Sequence, residues 1–563
     1  MDFPHIHNTL LNNEDRDKII ISNISKTVTR KINVLTIDLD SIIQDVYYNT
    51  FLNPNYIRET INGMPDIEGC DKNCTYFCYK VTQTVSQLTT YCKPEKLVLV
   101  TSGRSPLHIL QRKRVDYYRD DKYTDITPGS PLSLLLDNHI YQWISRSQIY
   151  PNKGIILPEH VIYNSYKNPG DFIYKTTQLF KSNIFEDGTN ILYSTNNDSI
   201  LLCLITNVSS LYLMFGKFDT IVDIKLFRET IQNKNVNIFD YIDICNLLEC
   251  QLLPRRHNIS LEQIIKYYES VKGDITDRFL SDKNGIVWGN MLKLIEQIAN
   301  NEEGLLTSNI EHNRSLLYPS NVLEKSIVSK ETITDEETIM VESVDYNTYR
   351  DQYYKHYIDI KGDKSLLESL IGRTIEGGYH EEDILLLTSH FLKIQAYIHN
   401  LFFGIKIDWC MYYPYHYLPL FRDMFKQLAN MNVEELRSLN NIGPVNNYYK
   451  GHYNLLHQLI AIIPPHKCKL LPSSIRHISC EYSELSDLYP SKYIIDREGI
   501  TEENQSEPLI PFVNIDRVGL LIKDIMYKNY ITYDDDETLT EFIFKYQKAQ
   551  PYVKSSIKGY LIA

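Results

Sequence analysis

Two short aliphatic runs with a helical pattern between them constrain the fold of this chain most. Residues 33–39 read NVLTIDL and residues 96–101 read KLVLVT, and both are typical of buried β-strands. Residues 70–92 lie between them and have the pattern of a helix. A strand, a helix and a second strand in this order predict neighbouring parallel strands joined by a right-handed crossover. We therefore predict an α/β domain with a mainly parallel sheet.

A second strand signal comes with acidic residues. Residues 191–205, ILYSTNNDSILLCLI, place two apolar runs around a polar turn that ends in Asp198, and we expect a buried strand and its continuation here. Ligands of open parallel sheets bind beyond the carboxyl ends of the strands. Asp198, and Asp38 and Asp40 near the end of the first strand, are therefore candidate metal-binding acids. Hard divalent cations are held chiefly by such charged oxygens.

Size and charge limit the class of protein. A chain of 563 residues exceeds the size at which one core stops growing, so two or three domains are expected. With 43% hydrophobic and 23% charged residues, the composition excludes an intrinsically disordered chain. The formal net charge of −13 excludes a uniformly basic nucleic-acid-binding surface, although positive charge can be confined to one groove.

The cysteines and the apolar runs indicate the compartment. The 10 cysteines form no disulfide framework in a chain of this length, and no leader pattern precedes them, so we expect an intracellular protein of the cytoplasm or nucleus. Cys70, Cys74 and Cys78 follow one helix face, and without a distant second pair a plain helix is favoured over zinc. Residues 199–216 are uncharged but polar at their centre, so two strands and a turn are expected rather than a membrane span.

Positive charge is densest just after the second strand. Arg112, Lys113 and Arg114 stand close together there, with Asp116 among them. This segment is interpreted either as a helix that binds phosphate groups or as an ordinary solvated face. Further along, an Asn-Pro-Gly-Asp turn places Asp171 immediately before a predicted helix that begins at about residue 172.

Changes in pattern along the chain predict its domains. A polar stretch opens the chain, a Ser/Glu/Thr-rich span at 326–338 suggests an excursion between lobes, and tyrosines recur at helical spacing from residue 346 onward. The predicted units are an N-terminal arm at 1–30, an α/β domain at 31–275, a linker or surface excursion at 276–345, a mainly helical second lobe at 346–530 and a C-terminal segment at 531–563.

An aromatic octet carries a resemblance to a known family. Residues 412–419, YYPYHYLP, resemble the YYPYHYAP of the Xrn-type 5′→3′ exoribonucleases. Other segments follow in family order across residues 31–527: ITPGS at 126–130 is similar to the family's ITPGT turn, 349–358 to its YYK-type helix, 458–472 to its QLLAVLPP…KLLP, and 508–521 to its LLPFID…LL. The resemblance implies a nuclease-like α/β domain holding two Mg²⁺ ions on a cluster of acids. It also implies a second region that admits the 5′-monophosphate end of single-stranded RNA.

This chain keeps three of the acids that the resemblance implies as metal ligands. Asp38 matches the acid of the family's first strand, Asp171 stands for the first glutamate of P-G-E-G-E-H-K, and Asp198 matches the last acid of D-A-D. They are the candidate catalytic and metal-binding residues. Two ions about 3.5–4 Å apart repel each other, and only a dense set of carboxylates holds both.

The other four family acids are replaced in this chain. The substituting residues are Ser102, Ile173, Asn196 and Gln251. A site with so few charges neutralises a pair of cations insufficiently, and an isoleucine offers no oxygen at all. The sequence therefore predicts a degraded two-metal site. Asp40 or Glu249 is the open alternative, as a replacement ligand from a neighbouring position.

The substrate-binding positions are partly kept. The candidates are Arg112, Lys113, Arg114, Lys175 and Trp409. For Trp409, base stacking and burial in the core remain equally open, because both favour an aromatic residue. For His416 in the octet, a buried hydrogen-bonded histidine is favoured over a catalytic one.

Three functions follow as hypotheses. The first is a catalytically inactive Xrn-like protein that serves as an RNA-binding or protein-interaction scaffold without a cofactor. The second is an active Mg²⁺-dependent 5′→3′ exoribonuclease with rearranged ligands, and the third is a structural or assembly protein without nucleic acid. The expected partners are single-stranded RNA and unidentified proteins, and no membrane.

Overall fold

The structure is a computed structural model that describes most of the chain. The described residues are 18–21, 31–53, 55, 71–149, 157–185, 188–216, 220–248, 252–254, 259–273, 279–333, 338–357, 379–442, 453–472, 475–479, 483–501 and 503–528. All statements below concern these residues.

A mixed sheet forms the centre of the first lobe. Among the described residues it has seven strands, namely β1 (Ile20–Ile21), β2 (Ile32–Asp38), β3 (Lys96–Val100), β4 (His160–Asn164), β5 (Thr189–Tyr193), β6 (Leu211–Phe215) and β7 (Thr220–Asp223). Their order across the sheet is β1-β7-β6-β5-β2-β3-β4. The pairs β6–β5, β5–β2, β2–β3 and β3–β4 are parallel, whereas β7 pairs antiparallel with β6 and β1. The predicted mainly parallel α/β sheet is confirmed.

Helices surround this sheet. In chain order they are α1 (Leu39–Tyr47), α2 (Lys72–Cys92), α3 (Leu107–Arg119), α4 (Pro131–Ile149), α5 (Phe172–Lys181), α6 (Ser199–Ile205), α7 (Ile224–Asn233), α8 (Ile238–Leu248) and α9 (Leu261–Val271). A π-helical turn at Tyr48–Leu52 extends α1, and a 3₁₀ segment at Asp121–Ile126 follows α3. Buried apolar side chains cover both faces of the sheet, as expected for parallel strands flanked by helices.

The second lobe is mainly helical, as predicted. Its helices are α10 (Trp288–Ser308), α11 (Ile310–Ser315), α12 (Asn321–Glu324), α13 (Tyr346–Tyr357), α14 (Glu381–Phe402), α15 (Phe421–Ala429), α16 (Val433–Ser438), α17 (Leu455–Ile462) and α18 (Ile515–Lys528). Small antiparallel pairs join them, formed by β8 (Ser281–Asp282) with β9 (Gly285–Ile286), β10 (Ile327–Ile333) with β11 (Thr338–Val344), and β12 (Ile494–Asp496) with β13 (Glu507–Leu509). The octet at 412–419 lies outside regular helices, consistent with its prolines.

Three sequence expectations differ from the structure. Residues 199–205 form helix α6 instead of a strand, because a short run buried on every side shows neither the period of a strand nor that of a helix. Residues 276–345 are more than the expected linker or surface excursion, since α10 packs against α15 and buries Trp288 and Leu294. In the predicted arm at 1–30, Ile20–Ile21 is an edge strand of the sheet.

Candidate active site

Two loops at the carboxyl ends of β3 and β4 are held against each other. The Gly103 amide donates to the Gly170 carbonyl at 2.8 Å, and the Gly170 amide donates to the Arg104 carbonyl at 2.6 Å. A Cβ atom at Gly103 would lie 2.1 Å from the Asn168 carbonyl oxygen, so this approach requires glycine. The contact brings Ser102 beside the start of α5, where its hydroxyl accepts from the Phe172 amide at 3.0 Å.

Asp38 ends β2 and caps the N-terminus of α1. Its Oδ1 accepts from the Asp40 amide at 3.1 Å, and its Oδ2 accepts from the hydroxyls of Ser41 and Ser194, each at 2.7 Å. The residue is 2% exposed. Burial, together with the neighbouring Asp40 carboxylate, raises the pKa of Asp38 to about 7. Both carboxylate oxygens of Asp38 therefore accept hydrogen bonds inside the protein.

Asp171 has a local structural role at the start of α5. Its Oδ2 accepts from the Ile173 amide at 3.3 Å and its Oδ1 from the Tyr174 amide at 3.2 Å, which is the arrangement of a helix N-cap. Burial raises the pKa of Asp171, and the nearby Lys113 opposes this shift. The short aspartate side chain suits the cap, whereas a glutamate in its place would reach past these amides.

The turn that carries Asp198 is bonded within itself and to Asp38. The Asn196 amide oxygen accepts from the Asp198 backbone at 2.9 Å. The Ser199 hydroxyl donates to the Ser194 hydroxyl at 2.7 Å, and Ser194 in turn donates to Asp38. Asp198 itself is 5% exposed. A chain of hydroxyl groups therefore occupies the side of Asp38 that faces this turn.

The structure also locates the positions where family acids are replaced. The Ser102 amide donates to both carboxylate oxygens of Asp40, at 3.0 and 3.2 Å. Ile173 is 3% exposed and belongs to the main apolar core. Gln251, together with Glu249, lies outside the described residues. At the described positions, backbone amides, hydroxyls and an apolar side chain stand where a metal site needs anionic oxygens.

Asp40 and a second acid, which the sequence did not indicate as a site residue, line one cavity next to Ser102. Asp40 and Asp137 both line it, together with Ser102, Tyr163 and apolar side chains. Asp137 Oδ1 accepts from the Tyr163 hydroxyl at 2.6 Å, and burial raises the pKa of Asp137 to about 6. In the sequence it is one polar residue in an apolar helix pattern, LSLLLDNHI, which carries no signal of a site.

The basic residues of α3 point largely into the protein. Arg114 is 1% exposed, and its guanidinium donates to the carbonyls of Ala461 and Leu488. Arg112 donates to both oxygens of Glu507, at 3.0 and 3.4 Å. These arginines were expected to bind substrate phosphates, but the structure uses them to join α3 to the second lobe. A run of like charges in sequence does not reveal which members will find buried partners.

Glu507 is the centre of this junction. Besides Arg112, it contacts His416 of the octet, whose Nδ1 lies 2.9 Å from Glu507 Oε1 and whose Nε2 lies 3.0 Å from the Ile510 carbonyl oxygen. Burial alone would raise the pKa of Glu507, but Arg112 and His416 lower it to about 2. His416 is 3% exposed, so the expected buried and hydrogen-bonded histidine is found.

Of the remaining substrate-binding candidates, Lys175 is buried, whereas Lys113 and Trp409 are half-buried. Lys175 is 3% exposed, and its ammonium donates to the carbonyls of Thr101 at 2.8 Å and Ser165 at 2.7 Å, so it holds the two loops rather than an external phosphate. Burial lowers the pKa of Lys175 to about 7. Lys113 and Trp409 are only half-buried, and Trp409 meets the ring of Tyr174 edge-on at 5.5 Å.

The described residues do not fit a pair of Mg²⁺ ions. Asp38 and Asp171 accept internal hydrogen bonds on both carboxylate oxygens, and Ser102, Ile173 and Asn196 contribute no negative charge. Magnesium demands near-octahedral oxygen coordination and dehydrates reluctantly, so it does not displace such bonds cheaply. The donor atoms of these described positions therefore do not match the two-metal site that the sequence resemblance implies.

Comparison with known proteins finds a match in the helical lobe and similar sequences among the exoribonucleases. Residues 394–536 match the family model described as the Xrn1 helical domain. The chain is 26% identical over 231 residues to 5′-3′ exoribonuclease 2 of Schizosaccharomyces pombe, which covers 40% of this chain and 20% of that protein. It is 22% identical over 343 residues to 5′-3′ exoribonuclease 1 of Homo sapiens, which covers 60% of this chain and 17% of that protein.

By these matches the chain is similar to the Xrn family of 5′-3′ exoribonucleases, and the match to a family model lies in the helical lobe. Its matched stretches make up a fifth or less of the length of these two relatives. Among solved structures, the bacteriophage T5 D15 protein co-crystallized with metal ions overlaps 47% of this chain and 79% of its own, at 12% identity and a TM-score of 0.27, too low to support an inference. No helix in the described part of the chain is long and apolar enough to cross a bilayer.

Proposed function

We propose that this chain is a non-hydrolytic member of the Xrn family that acts as a scaffold for single-stranded RNA and protein partners. The single observation that supports this most strongly is the state of Asp38. The acid that matches the family's first-strand ligand is buried and accepts hydrogen bonds on both carboxylate oxygens. A doubly charged ion at Asp38 would have to displace hydrogen bonds that the folded chain already makes.

The retained architecture supports a binding role. The second lobe is joined to α3 through buried bonds of Arg112 and Arg114, so the relative placement of the two lobes is stabilised without any ligand. Lys113 is half-buried near Asp171, and Trp409 is half-buried as well. One cation and one aromatic face suit a weak contact with a phosphate and a base.

One observation favours a second candidate. Asp40 and Asp137 line the same cavity next to Ser102. They are the described acids from which a rearranged single-cation site would be built, and such a site would give an exoribonuclease with altered ligands. Asp40→Asn and Asp137→Asn separate this candidate from the first, because neither acid belongs to the metal cluster that the resemblance implies.

Degradation of 5′-monophosphorylated single-stranded RNA tests the proposal. Purified protein with Mg²⁺ or Mn²⁺ is expected to leave this RNA intact, as is protein without divalent metal. Metal-dependent release of nucleotides that disappears in Asp38→Ala or Asp198→Ala would overturn the proposal in favour of the family's own chemistry. Release that disappears only in Asp40→Asn or Asp137→Asn would establish the second candidate.

A further inference from the structure

Three side chains of the kinds that ligate metals meet in the second lobe, away from the site described above. His356 lies at the end of α13, Asp496 ends β12, and Glu498 follows two residues later. His356 Nε2 lies 3.4 Å from Asp496 Oδ2 and 3.1 Å from Glu498 Oε2. The three donor atoms all lie within 4.8 Å of one another.

These separations are those expected around a tetrahedral ion. Zinc binds histidine nitrogen at about 2.0–2.1 Å and carboxylate oxygen at about 2.0–2.2 Å, which places neighbouring donor atoms roughly 3.3–3.5 Å apart. The two separations from His356 Nε2, at 3.1 and 3.4 Å, are close to this edge length. The two carboxylate oxygens lie within 4.8 Å of each other, so rotation of the side chains can bring all three donors onto one ion.

A plain ion pair accounts for this cluster less well. The side chains of Asp496 and Glu498 are 10% and 7% exposed, so water screens their like charges poorly. His356 presents the same nitrogen to both carboxylates, so even a protonated imidazole balances only one of their two negative charges. A divalent cation between the three atoms balances both carboxylates at once.

The surroundings fix the carboxylates in this orientation. The Tyr417 hydroxyl donates to Asp496 Oδ2, and the Glu498 amide donates to Asp496 Oδ1 at 3.1 Å. On the far oxygen of Glu498, Oε1 accepts from the Ser320 hydroxyl at 3.2 Å and from the Val322 amide at 2.5 Å. Glu498 Oε2 is thereby directed at His356. Outer hydrogen bonds of this kind orient the ligands of metal sites.

We propose that His356, Asp496 and Glu498 form a structural or regulatory zinc site with a water molecule in the fourth position. Imidazole with two carboxylates favours zinc over magnesium, which is bound chiefly through oxygen. The ion joins the end of α13 to β12 and, through Tyr417, to the octet at 412–419. His356 is 35% exposed on its side chain, which leaves a path for the ion. This site is independent of the proposed scaffold function.

Zinc titration of the full chain tests the site. Protein stripped with a chelator is titrated with Zn²⁺ in competition with a chromophoric chelator, and His356→Ala and Glu498→Gln are compared with wild type. Each substitution is expected to weaken one zinc site at least about 100-fold, and Tyr417→Phe, which removes an outer hydrogen bond, by about tenfold. His312→Ala, at an exposed histidine of α11, is the matched control and is expected to leave binding unchanged.

Two readouts keep the test decisive. Thermal melts in chelator identify any variant that fails to fold, and Co²⁺ substitution of wild type is expected to give the visible bands of a tetrahedral site that are lost in His356→Ala. If wild-type protein takes up no Zn²⁺ at micromolar concentrations, the proposal is overturned. Equal zinc affinity of wild type, His356→Ala and Glu498→Gln also overturns it, since the ion would then sit elsewhere.

Discussion

The Ser194 hydroxyl donates to Asp38 Oδ2 at 2.7 Å, so a side chain just after β5 bonds the acid that ends the neighbouring strand β2. The carboxyl ends of adjacent parallel strands are where a sheet of this kind presents its ligands. Here side chains at the two strand ends form a hydrogen bond with each other. The site is therefore organised as part of the protein interior, which has measurable consequences for stability, binding and catalysis.

Asp38→Asn is expected to stabilise the protein at pH 8. The pKa of Asp38 rises from 3.8 to about 7 on folding, so the folded state disfavours the charged form and loses stability as pH rises from about 4 to above 7. The asparagine removes this cost and still accepts from the Asp40 amide. We expect a gain of about 1–4 kcal/mol at pH 8 that vanishes near pH 4.

Urea unfolding at both pH values measures this gain. Asp45→Asn, at an exposed acid of the same helix α1, is the control and is expected to change stability little at either pH. Lower stability of Asp38→Asn at pH 8 would show that the Asp38 carboxylate is favourable in the folded protein, contrary to this account.

Glu507→Gln is expected to destabilise the protein by about 3–5 kcal/mol at pH 7, because it removes the carboxylate that Arg112 and His416 both contact in a largely buried cluster. The pKa of Glu507 is lowered to about 2, so its stabilisation is complete above pH 4.5 and is lost as pH falls toward 2. The deficit of the variant should therefore shrink over that acid range. Chemical unfolding at pH 7 and pH 3 checks this.

The control for this substitution is Glu503→Gln. Glu503 pairs with Arg497 on the surface, where a salt bridge contributes at most about 1 kcal/mol. Equal effects of the two substitutions would contradict the central place of Glu507 in the contact between α3 and the second lobe.

Lys113→Gln is expected to weaken binding of single-stranded RNA and to reduce its dependence on salt. Binding should be weak and steeply salt-dependent in the wild type, and loss of one phosphate contact lowers the slope of log affinity against log salt by about 0.7. Lys122→Gln, at an exposed lysine paired with Asp120, is the control. Fluorescence anisotropy over a range of salt concentrations gives both slopes.

Lys175→Met separates binding from structure. Because Lys175 donates to two backbone carbonyls, its loss is expected to lower the free energy of unfolding while leaving the salt slope as in the wild type. A reduced slope in Lys175→Met, or an unchanged slope in Lys113→Gln, would contradict the assignment of these two lysines.

Restoring the replaced acids is expected not to restore hydrolysis. The variant carries Ser102→Asp, Ile173→Glu, Asn196→Asp and Gln251→Asp. The internal bonds of Asp38 remain in it, and a glutamate at the buried position 173 has no partner for its charge, so the variant should also lose stability. The triple variant that keeps Ile173 controls for this loss. Processive RNA degradation by either variant, absent from the wild type, would contradict this expectation and show that the added acids suffice for hydrolysis.

The sequence predicted the sheet and the second lobe because both depend on patterns that persist over many residues. Strands β2, β3 and β5 follow continuous apolar runs, and the helices on either side repeat apolar residues at helical spacing. The run at 199–205 was misassigned because it is short and wholly buried, so its pattern has no exposed face to define a period. Asp171 was correctly placed before a helix by its Pro-Gly turn.

Partners of charged side chains could not be predicted in the same way. Arg112 and Arg114 form hydrogen bonds with groups more than 300 residues away in sequence. No local sequence pattern predicts that Glu507 or the carbonyls of the second lobe are their partners. Asp137 reaches its cavity only through the packing of α4 on the sheet. The retained acids at 38, 171 and 198 remain predictions as metal ligands, although the bonds of Asp38 and Asp171 give each a structural role.

Binding of Mn²⁺ measured by electron paramagnetic resonance tests the central claim most directly. His356→Ala removes the site proposed in the second lobe. The single variant His356→Ala is compared with the double variant that also carries Asp38→Asn. The account predicts the same Mn²⁺ stoichiometry for both proteins and no spin-coupled pair. A coupled pair about 3.5–4 Å apart that disappears in Asp38→Asn would contradict it, because two ions would then occupy the family's site.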